Sequence, residues 1–374
     1  MNRAPHIAYY LTTHGYGHGV RSTAVMQALR RERPDVRLTV ISGLPKDFLR
    51  DRLRGFPEGA LAFRRAAFDV GLVQLDSVRA DIPATLEKVT ALLARRPALV
   101  EEEAAWQRSI AADIVIADIP AIPLAAAARA GLPRIAIGNF SWDWIYAPYA
   151  ETDPRWQPAV DAFRADYAAA DVLLQYPLSP DMSATFPRRI DIPLPSRPGR
   201  SRRAELAART GADPARRWIL LSFTTLDWTP DALDRVAAIR ATDFFTVRPL
   251  EWTGIPNIHA VDRAEFPFSD IVATVDAVLS KPGFGILADC AANDKPLVYA
   301  DRDNFAEYPV LERAIKLHLR HVHIPAASLY AGNLRPSLDA LPSAPPPKSL
   351  LPLGGDTAAA RHILGLARAE SDFR

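Results

Sequence analysis

Short apolar runs alternate with helix-spaced segments along the whole chain, which is the pattern of parallel strands buried on both faces and joined by crossover helices. His6 to Leu11 predicts a first buried strand, and Val20 to Arg31 a helix with Val20, Ala24, Ala28 and Leu29 on one face. Val36 to Ile41 predicts the second strand. A long helical stretch from Ile82 to Ile110 opens on the start signals Asp81 and Pro83 and carries Leu86, Val89, Leu92 and Leu93. Asp113 to Asp118 is an apolar strand ending on an acid, Pro120 to Ala130 an alanine-rich helix, and Arg134 to Gly138 another strand. The aromatic stretch Asn139 to Tyr146 predicts a loop lining a pocket or a lid over the core, and Asp171 to Gln175 a further strand.

Strand and helix signals then fade. Pro177 to Pro198 is rich in proline, and Arg188, Arg189, Arg197, Arg200, Arg202, Arg203, Arg209, Arg216 and Arg217 cluster around it, which reads as a solvated linker. The same architecture then starts again, with strands at Trp218–Phe223, Phe244–Val247, Ile258, Ala277–Ser280 and Pro296–Ala300. Helices are predicted at Pro230–Ile239, Phe268–Thr274, Ile286–Ala292 and from Pro309 onward. After a second proline-rich strip, Asp356 caps a last helix reaching Ala369. The expected division is a first domain over residues 1–190, a linker over 191–217, a second domain over 218–350, and a terminal helix over 351–374 that can cross back onto the first domain. The fold class is α/β, doubly wound in both domains.

Composition narrows the functions. A chain of 374 residues is long enough for two domains. With 45 basic and 43 acidic side chains the net charge is only +2, so no nucleic-acid partner is called for. Cys290 is the only cysteine, so no internal disulfide can form. The first residues do not read as a signal peptide and no apolar run suits a membrane span, so the expected location is cytoplasmic.

The first glycine-rich turn, His14-Gly15-Tyr16-Gly17-His18-Gly19, resembles a dinucleotide loop until its details are compared. Its spacing is G-x-G-x-G, and the second strand ends Val40-Ile41-Ser42-Gly43 with no acid for a ribose, so a nicotinamide dehydrogenase is disfavoured. The turn Lys281-Pro282-Gly283-Phe284-Gly285, between a strand and a helix, is better suited to a diphosphate, and Asp289 in that helix suits ribose hydroxyls. No lysine follows a glycine, so no Walker A loop exists, and the usual zinc spacings are absent. Asp301-Arg302-Asp303 is a weak D-x-D match, and no metal ligand is assigned.

His14 to Arg21, Asn139 to Tyr146, Lys281 to Gly285 and Asn304 to Pro309 together resemble the glycosyltransferase-like module found ahead of the kinase domain in plant L-arabinokinases. More distantly they are similar to the GT-B glycosyltransferases that include the peptidoglycan N-acetylglucosaminyltransferase. The resemblance spans nearly the whole chain and does not extend to the kinase portion. It implies a GT-B fold, two Rossmann-like domains facing across a cleft, with acceptor on the N-terminal domain and nucleotide-sugar on the C-terminal one. The implied activity is inverting, metal-independent transfer of a hexosyl or N-acetylhexosaminyl group from a nucleoside diphosphate sugar to an unknown hydroxyl. No cofactor is implied beyond that co-substrate.

His18 falls on the family's base position, Asp118 near the acid that orients it, and His14 stands second. A neutral imidazole can take a hydroxyl proton while a carboxylate fixes its tautomer. Gly17, Gly19, Arg21, Asn139, Ser141, Trp142 and Asp143 are the expected acceptor-side binding residues. Ser222, Thr224, Lys281, Gly283, Phe284, Gly285, Asp289, Asn304 and Glu307 are expected on the donor side. Two alternatives remain: a GT-B module that binds a nucleotide-sugar without transferring it, and a sugar-nucleotide epimerase.

Overall fold

A computed structural model describes residues 3–75, 79–302 and 305–371 of the chain, with side chains as far as residue 367. The chain forms two units. One comprises residues 1–73, 81–196 and 352–374, and the other residues 74–80 and 197–351.

The first unit is built on a seven-stranded sheet. Its strands are β1 (His6–Leu11), β2 (Arg37–Ser42), β3 (Leu61–Arg64), β4 (Ile114–Asp118), β5 (Arg134–Gly138), β6 (Val172–Gln175) and β7 (Arg189–Asp191). All neighbours run parallel in the order β3-β2-β1-β4-β5-β6-β7. The order reverses between β1 and β4, so the connections after these two strands leave in opposite directions and open a crevice at their carboxyl ends. Leu11 lies in register with Asp118 at that point.

Helices α1 (Tyr16–Glu32), α2 (Lys46–Arg52), α3 (Ile82–Ser109), α4 (Ile122–Ala130), α5 (Trp142–Ala150) and α6 (Gln157–Ala168) belong to this unit. α1 begins at Tyr16 rather than Val20, so His18 and its two flanking glycines are helical rather than in a loop. A glycine inside a helix costs up to about 1 kcal/mol relative to alanine. At Gly19 contact explains it: a Cβ there would meet Phe48 Cε1 at 2.6 Å and Leu44 Cδ1 at 2.9 Å.

The second unit holds a six-stranded parallel sheet of β8 (Arg217–Ser222), β9 (Thr242–Val247), β10 (Ile258–Val261), β11 (Ala277–Ser280), β12 (Leu297–Ala300) and β13 (His321–Ile324). The order is β10-β9-β8-β11-β12-β13, with its reversal between β8 and β11. Ser222 and Ser280, the last residues of those strands, are in register, and Ser280 Oγ donates to the Ser222 carbonyl at 2.8 Å. Helices α7 (Arg203–Thr210), α8 (Pro230–Ala237), α9 (Phe268–Thr274), α10 (Phe284–Ala292), α11 (Tyr308–His318), α12 (Ala326–Tyr330) and α13 (Arg335–Ala340) complete it.

The arginine-rich strip differs from a solvated linker. Arg203 pairs with Asp276 at 3.0 Å and stacks over Trp218, Arg209 pairs with Glu265 at 2.6 Å, and Arg216 reaches Asp243 at 3.3 Å. Residues 197–217 belong to the second unit, where acids remote in sequence pair with Arg203, Arg209 and Arg216.

The last helix, α14 (Gly355–Ser371), packs along α1 in the first unit. Ala359, Ala360, Ile363, Leu364 and Ala367 join Val25, Met26 and Leu29 of α1 in one buried cluster. Arg31 pairs with Asp356 at 3.0 Å across the same contact. Ile363 has no exposed surface. Ile363→Val, which removes one methyl from this seam, is expected to cost about 1 kcal/mol in urea unfolding.

Candidate functional site

His18, Arg21 and Ser22 stand at i, i+3 and i+4 of α1 and so share one face, which meets the end of β4. Their common partner is Asp118, which has no exposed surface. His18 Nδ1 lies 3.1 Å from Asp118 Oδ1, and Arg21 donates to the carboxylate through Nη2 at 2.6 Å and Nε at 3.0 Å. Ser22 Oγ donates to Oδ2. Arg21 Nη1 also donates to Asn139 Oδ1, and the guanidinium stands 5.1 Å from the ring centre of Tyr176. Burial alone would raise the Asp118 pKa, but Arg21 and His18 outweigh it and hold the carboxyl well below the usual range. Burial, with Arg21 next, lowers His18 from its ordinary value, partly offset by Asp118. The imidazole is therefore neutral at pH 7.

The chain turns sharply after Asp118. Ile119 adopts a φ of +84°, which a β-branched residue pays about 1–3 kcal/mol to hold. Its carbonyl accepts from the Tyr167 hydroxyl at 2.5 Å, one of the contacts that keep it there.

The stretch 139–146 is not an open loop. Trp142 begins α5, and Asn139, Ser141, Trp142 and Asp143 are all buried. Asn139 Nδ2 donates to the Pro177 carbonyl at 2.7 Å, while Asp143 accepts from Thr185 at 2.6 Å and Arg164 at 3.3 Å. The rings of Phe140, Trp142 and Tyr146 stack into the core, and Phe140 meets the edge of His18 at 5.7 Å between centres. Protein partners thus occupy Asn139 and one oxygen of Asp143, while Ser141 Oγ and Asp143 Oδ1 are buried and take no hydrogen bond among the described residues. Only Asn139 joins the His18 cluster directly, through Arg21.

His14 takes a separate place. Its ring meets Trp142 edge-on at 5.5 Å, and Gly71 lies so close that a Cβ there would stand 2.2 Å from His14 Nδ1. Gly17 has open space where a Cβ would be, and Gly19 faces α2.

Asp69 escaped sequence reasoning, being one loop acid among many. It is 8% exposed, and its Oδ2 accepts from Trp142 Nε1 at 3.0 Å. Burial pushes its carboxyl up to about 6, against hydrogen bonds from Thr12 and Trp142. The unfolded chain releases this proton near pH 4, so the folded state holds an extra proton between about pH 4 and 6 and loses stability as pH rises through that window. Asp69→Asn is expected to match the parent at pH 4 and to exceed it by about 2 kcal/mol at pH 7.5 in urea unfolding.

In the second unit, the switch point between β8 and β11 gathers Ser222, Ser280 and the turn Lys281-Pro282-Gly283. Gly283 caps α10, and Phe284 and Gly285 form its first turn. Asp289 is half-buried farther along α10, and Thr224 is exposed beyond β8. Arg302, also missed from sequence, donates from Nη1 to the Pro282 carbonyl at 3.2 Å and stacks on Phe305, tying the turn after β12 to the turn after β11. Glu307 faces Arg302 and Lys281, and burial raises its carboxyl despite those two cations. Its Oε2 is buried and takes no hydrogen bond among the described residues. Asn304 and Asp303 lie outside the described residues. Asp301 is engaged by His323 Nε2 at 2.6 Å, the Tyr308 hydroxyl at 3.2 Å and the Ala326 N–H at 3.1 Å. Among the described residues no group of three or more His, Cys, Asp or Glu is placed to hold a metal. No helix among them is long and apolar enough to cross a membrane.

No protein-family model matches the chain. L-arabinokinase from Arabidopsis thaliana is 30% identical over 364 residues, which is 96% of this chain and 34% of that protein. The chain thus spans about a third of the length of this curated relative. Among solved structures, the calicheamicin glycosyltransferase CalG4 superposes with a TM-score of 0.61 at 16% identity, over 100% of this chain and 98% of its own. The glycosyltransferase SnogD from Streptomyces nogalater gives 0.57 at 17%, over 97% and 99%. Medicago truncatula UGT71G1, complexed with UDP-glucose, gives 0.63 at 10%, over 98% and 95%. These likenesses, with the two parallel sheets and their reversals, establish the fold as GT-B.

Proposed function

We propose that the chain is a glycosyltransferase that moves a sugar from a nucleoside diphosphate sugar to a hydroxyl acceptor, with inversion and without a metal ion. The observation that carries the reading is the pairing of His18 with a buried, ionised Asp118 at the switch point of the first sheet. With the imidazole proton on Nδ1 and donated to Asp118, Nε2 takes the acceptor's hydroxyl proton as that oxygen bonds to the anomeric carbon. The bond from that carbon to the diphosphate oxygen breaks at the same time, and the leaving group departs with the electron pair. Asp118 stabilises the imidazolium that forms.

In this reading the second unit holds the donor. The diphosphate meets the N-terminus of α10 beside Lys281, whose positive ends favour the charge that develops on departure. Asp289 serves the ribose. Glu307, with its unsatisfied buried oxygen, serves the sugar hydroxyls.

A second reading, nucleotide-sugar binding without transfer, draws support from Arg21. Its guanidinium neutralises the carboxylate that would otherwise stabilise a protonated His18. Two measurements separate the readings: thermal shift against nucleoside diphosphates and their sugars, and release of diphosphate across a panel of hydroxyl acceptors. A bound donor at about 100 times its Kd is expected to stabilise the fold by about 2.7 kcal/mol. Stabilisation with transfer supports the enzyme, and stabilisation without transfer or donor hydrolysis supports the binding module. Absence of both would overturn the two together.

A further inference from the structure

His18 Nδ1, Asp118 Oδ1 and Arg21 Nη2 form a triangle whose sides are 3.1 Å from Nδ1 to Oδ1, 2.6 Å from Nη2 to Oδ1 and 2.9 Å from Nη2 to Nδ1. A triangle of this kind holds two hydrogen bonds and one repulsive side. Arg21 keeps its protons at every working pH, so Nη2 only donates. Asp118 is ionised, so Oδ1 only accepts. The imidazole proton is the one that can move. On Nδ1 it gives a bond to Oδ1 and sets two donors against each other at 2.9 Å. On Nε2 it lets Nη2 donate to both neighbours and leaves two acceptors facing across the longest side.

The guanidinium cannot easily leave. Nε is held by Asp118 Oδ2 at 3.0 Å, Nη1 by Asn139, and the face by Tyr176. The groups around the triangle include Ser22, which donates to Asp118, the ring of Phe140, and the hydroxyls of Tyr9 and Tyr176, which burial keeps neutral, while Asp69 faces Asp118 and is not among the charges that act on His18 or Arg21. None of them carries a charge that would counter Arg21.

We propose that Arg21 is a positioning residue that sets the tautomer of His18: by donating to Nδ1 as well as to Asp118, it keeps the imidazole proton on Nε2 in the free protein. This rests on the transferase reading for its consequence, because a base must present a bare Nε2. His18 becomes one when Arg21 stops donating to Nδ1 and the proton relocates there.

The test needs neither donor nor acceptor, so it stands or falls separately from turnover. Long-range proton–nitrogen correlation of the uniformly 15N-labelled full chain at pH 7.5 reports which ring nitrogen is protonated, with His18 assigned by its loss in His18→Gln. The parent is expected to show a bare Nδ1 and a protonated Nε2. Arg21→Met is expected to place a proton on Nδ1. Arg21→Lys, which keeps the charge against Asp118 and gives up the planar fork, is expected to do the same and guards against a variant that fails to fold. A parent protonated on Nδ1 overturns the proposal, as do folded variants that keep the parent's tautomer.

Discussion

His18→Ala is expected to lower the rate of sugar transfer by roughly 10²- to 10⁴-fold, the usual contribution of a positioned general base. Donor-induced thermal stabilisation should stay unchanged, because the proposed donor groups belong to the second unit. The side chain is 11% exposed, and its hydrogen-bonding contacts are with the Asp118–Arg21 pair, which stay bonded to each other without it, so the fold loses little beyond the Phe140 ring contact. The loss should fall on kcat rather than on KM for the donor. A His18→Ala protein that transfers sugar at the parent rate would remove His18 from the reaction and leave the binding-module reading in front. The pH profile gives a second check. Burial and Arg21 lower the pKa of His18, so the acid limb of the parent profile is expected below the 6.5 of a free imidazole. That limb should be missing from whatever activity remains in the variant.

Much of this arrangement is legible in the sequence, and the exceptions have physical causes. The alternation of apolar runs with helical segments yields both sheets except for the edge strands β3, β7 and β13, which are short, partly exposed and carry no continuous apolar run. His18 and Asp118 are recognisable since one follows the glycine-rich turn after the first apolar strand and the other ends a later one, and parallel pairing in register brings the ends of β1 and β4 side by side. The sequence places Arg21 among the acceptor-side residues, and a signal for its Asp118 contact is present there too. His18, Arg21 and Ser22 share a helix face once α1 starts at Tyr16, and the glycines at 17 and 19 hid that start. Packing of Gly19 against Leu44 and Phe48 depends on α2, which has too short a pattern to predict. Asp69, Arg302 and the strained Ile119 left no signal, because their roles come from burial and from neighbours remote in sequence. The same holds for Arg203, Arg209 and Arg216, whose acids lie farther along the chain. The aromatic stretch from Phe140 reads equally well as a pocket wall or as core, and the buried partners of Trp142 and Asp143 decide for core.

Asp118→Ala is expected to destabilise the protein by about 3–5 kcal/mol, because it strands the Arg21 guanidinium, only 11% exposed, without its counter-charge. The acid side of the stability profile should change with it. Asp118 titrates below its unfolded value, so its contribution is fully present above about pH 4 and is lost as pH falls through the lower folded value. Asp118→Asn should flatten that part of the profile while keeping the side chain's shape. The double variant Asp118→Asn with Arg21→Met separates stability from chemistry. Removing both charges takes away the stranded cation as well as its partner, so the double variant is expected to be more stable than Asp118→Ala and to show a favourable coupling relative to the two single changes. Transfer should stay low in every variant lacking the Asp118 carboxylate, since nothing then stabilises a protonated His18. Urea unfolding and transfer assays on the parent, Asp118→Ala, Asp118→Asn, Arg21→Met and the double variant check both halves. Recovery of stability together with recovery of activity would mean that Asp118 serves only to bury Arg21, and that the proton acceptor lies elsewhere.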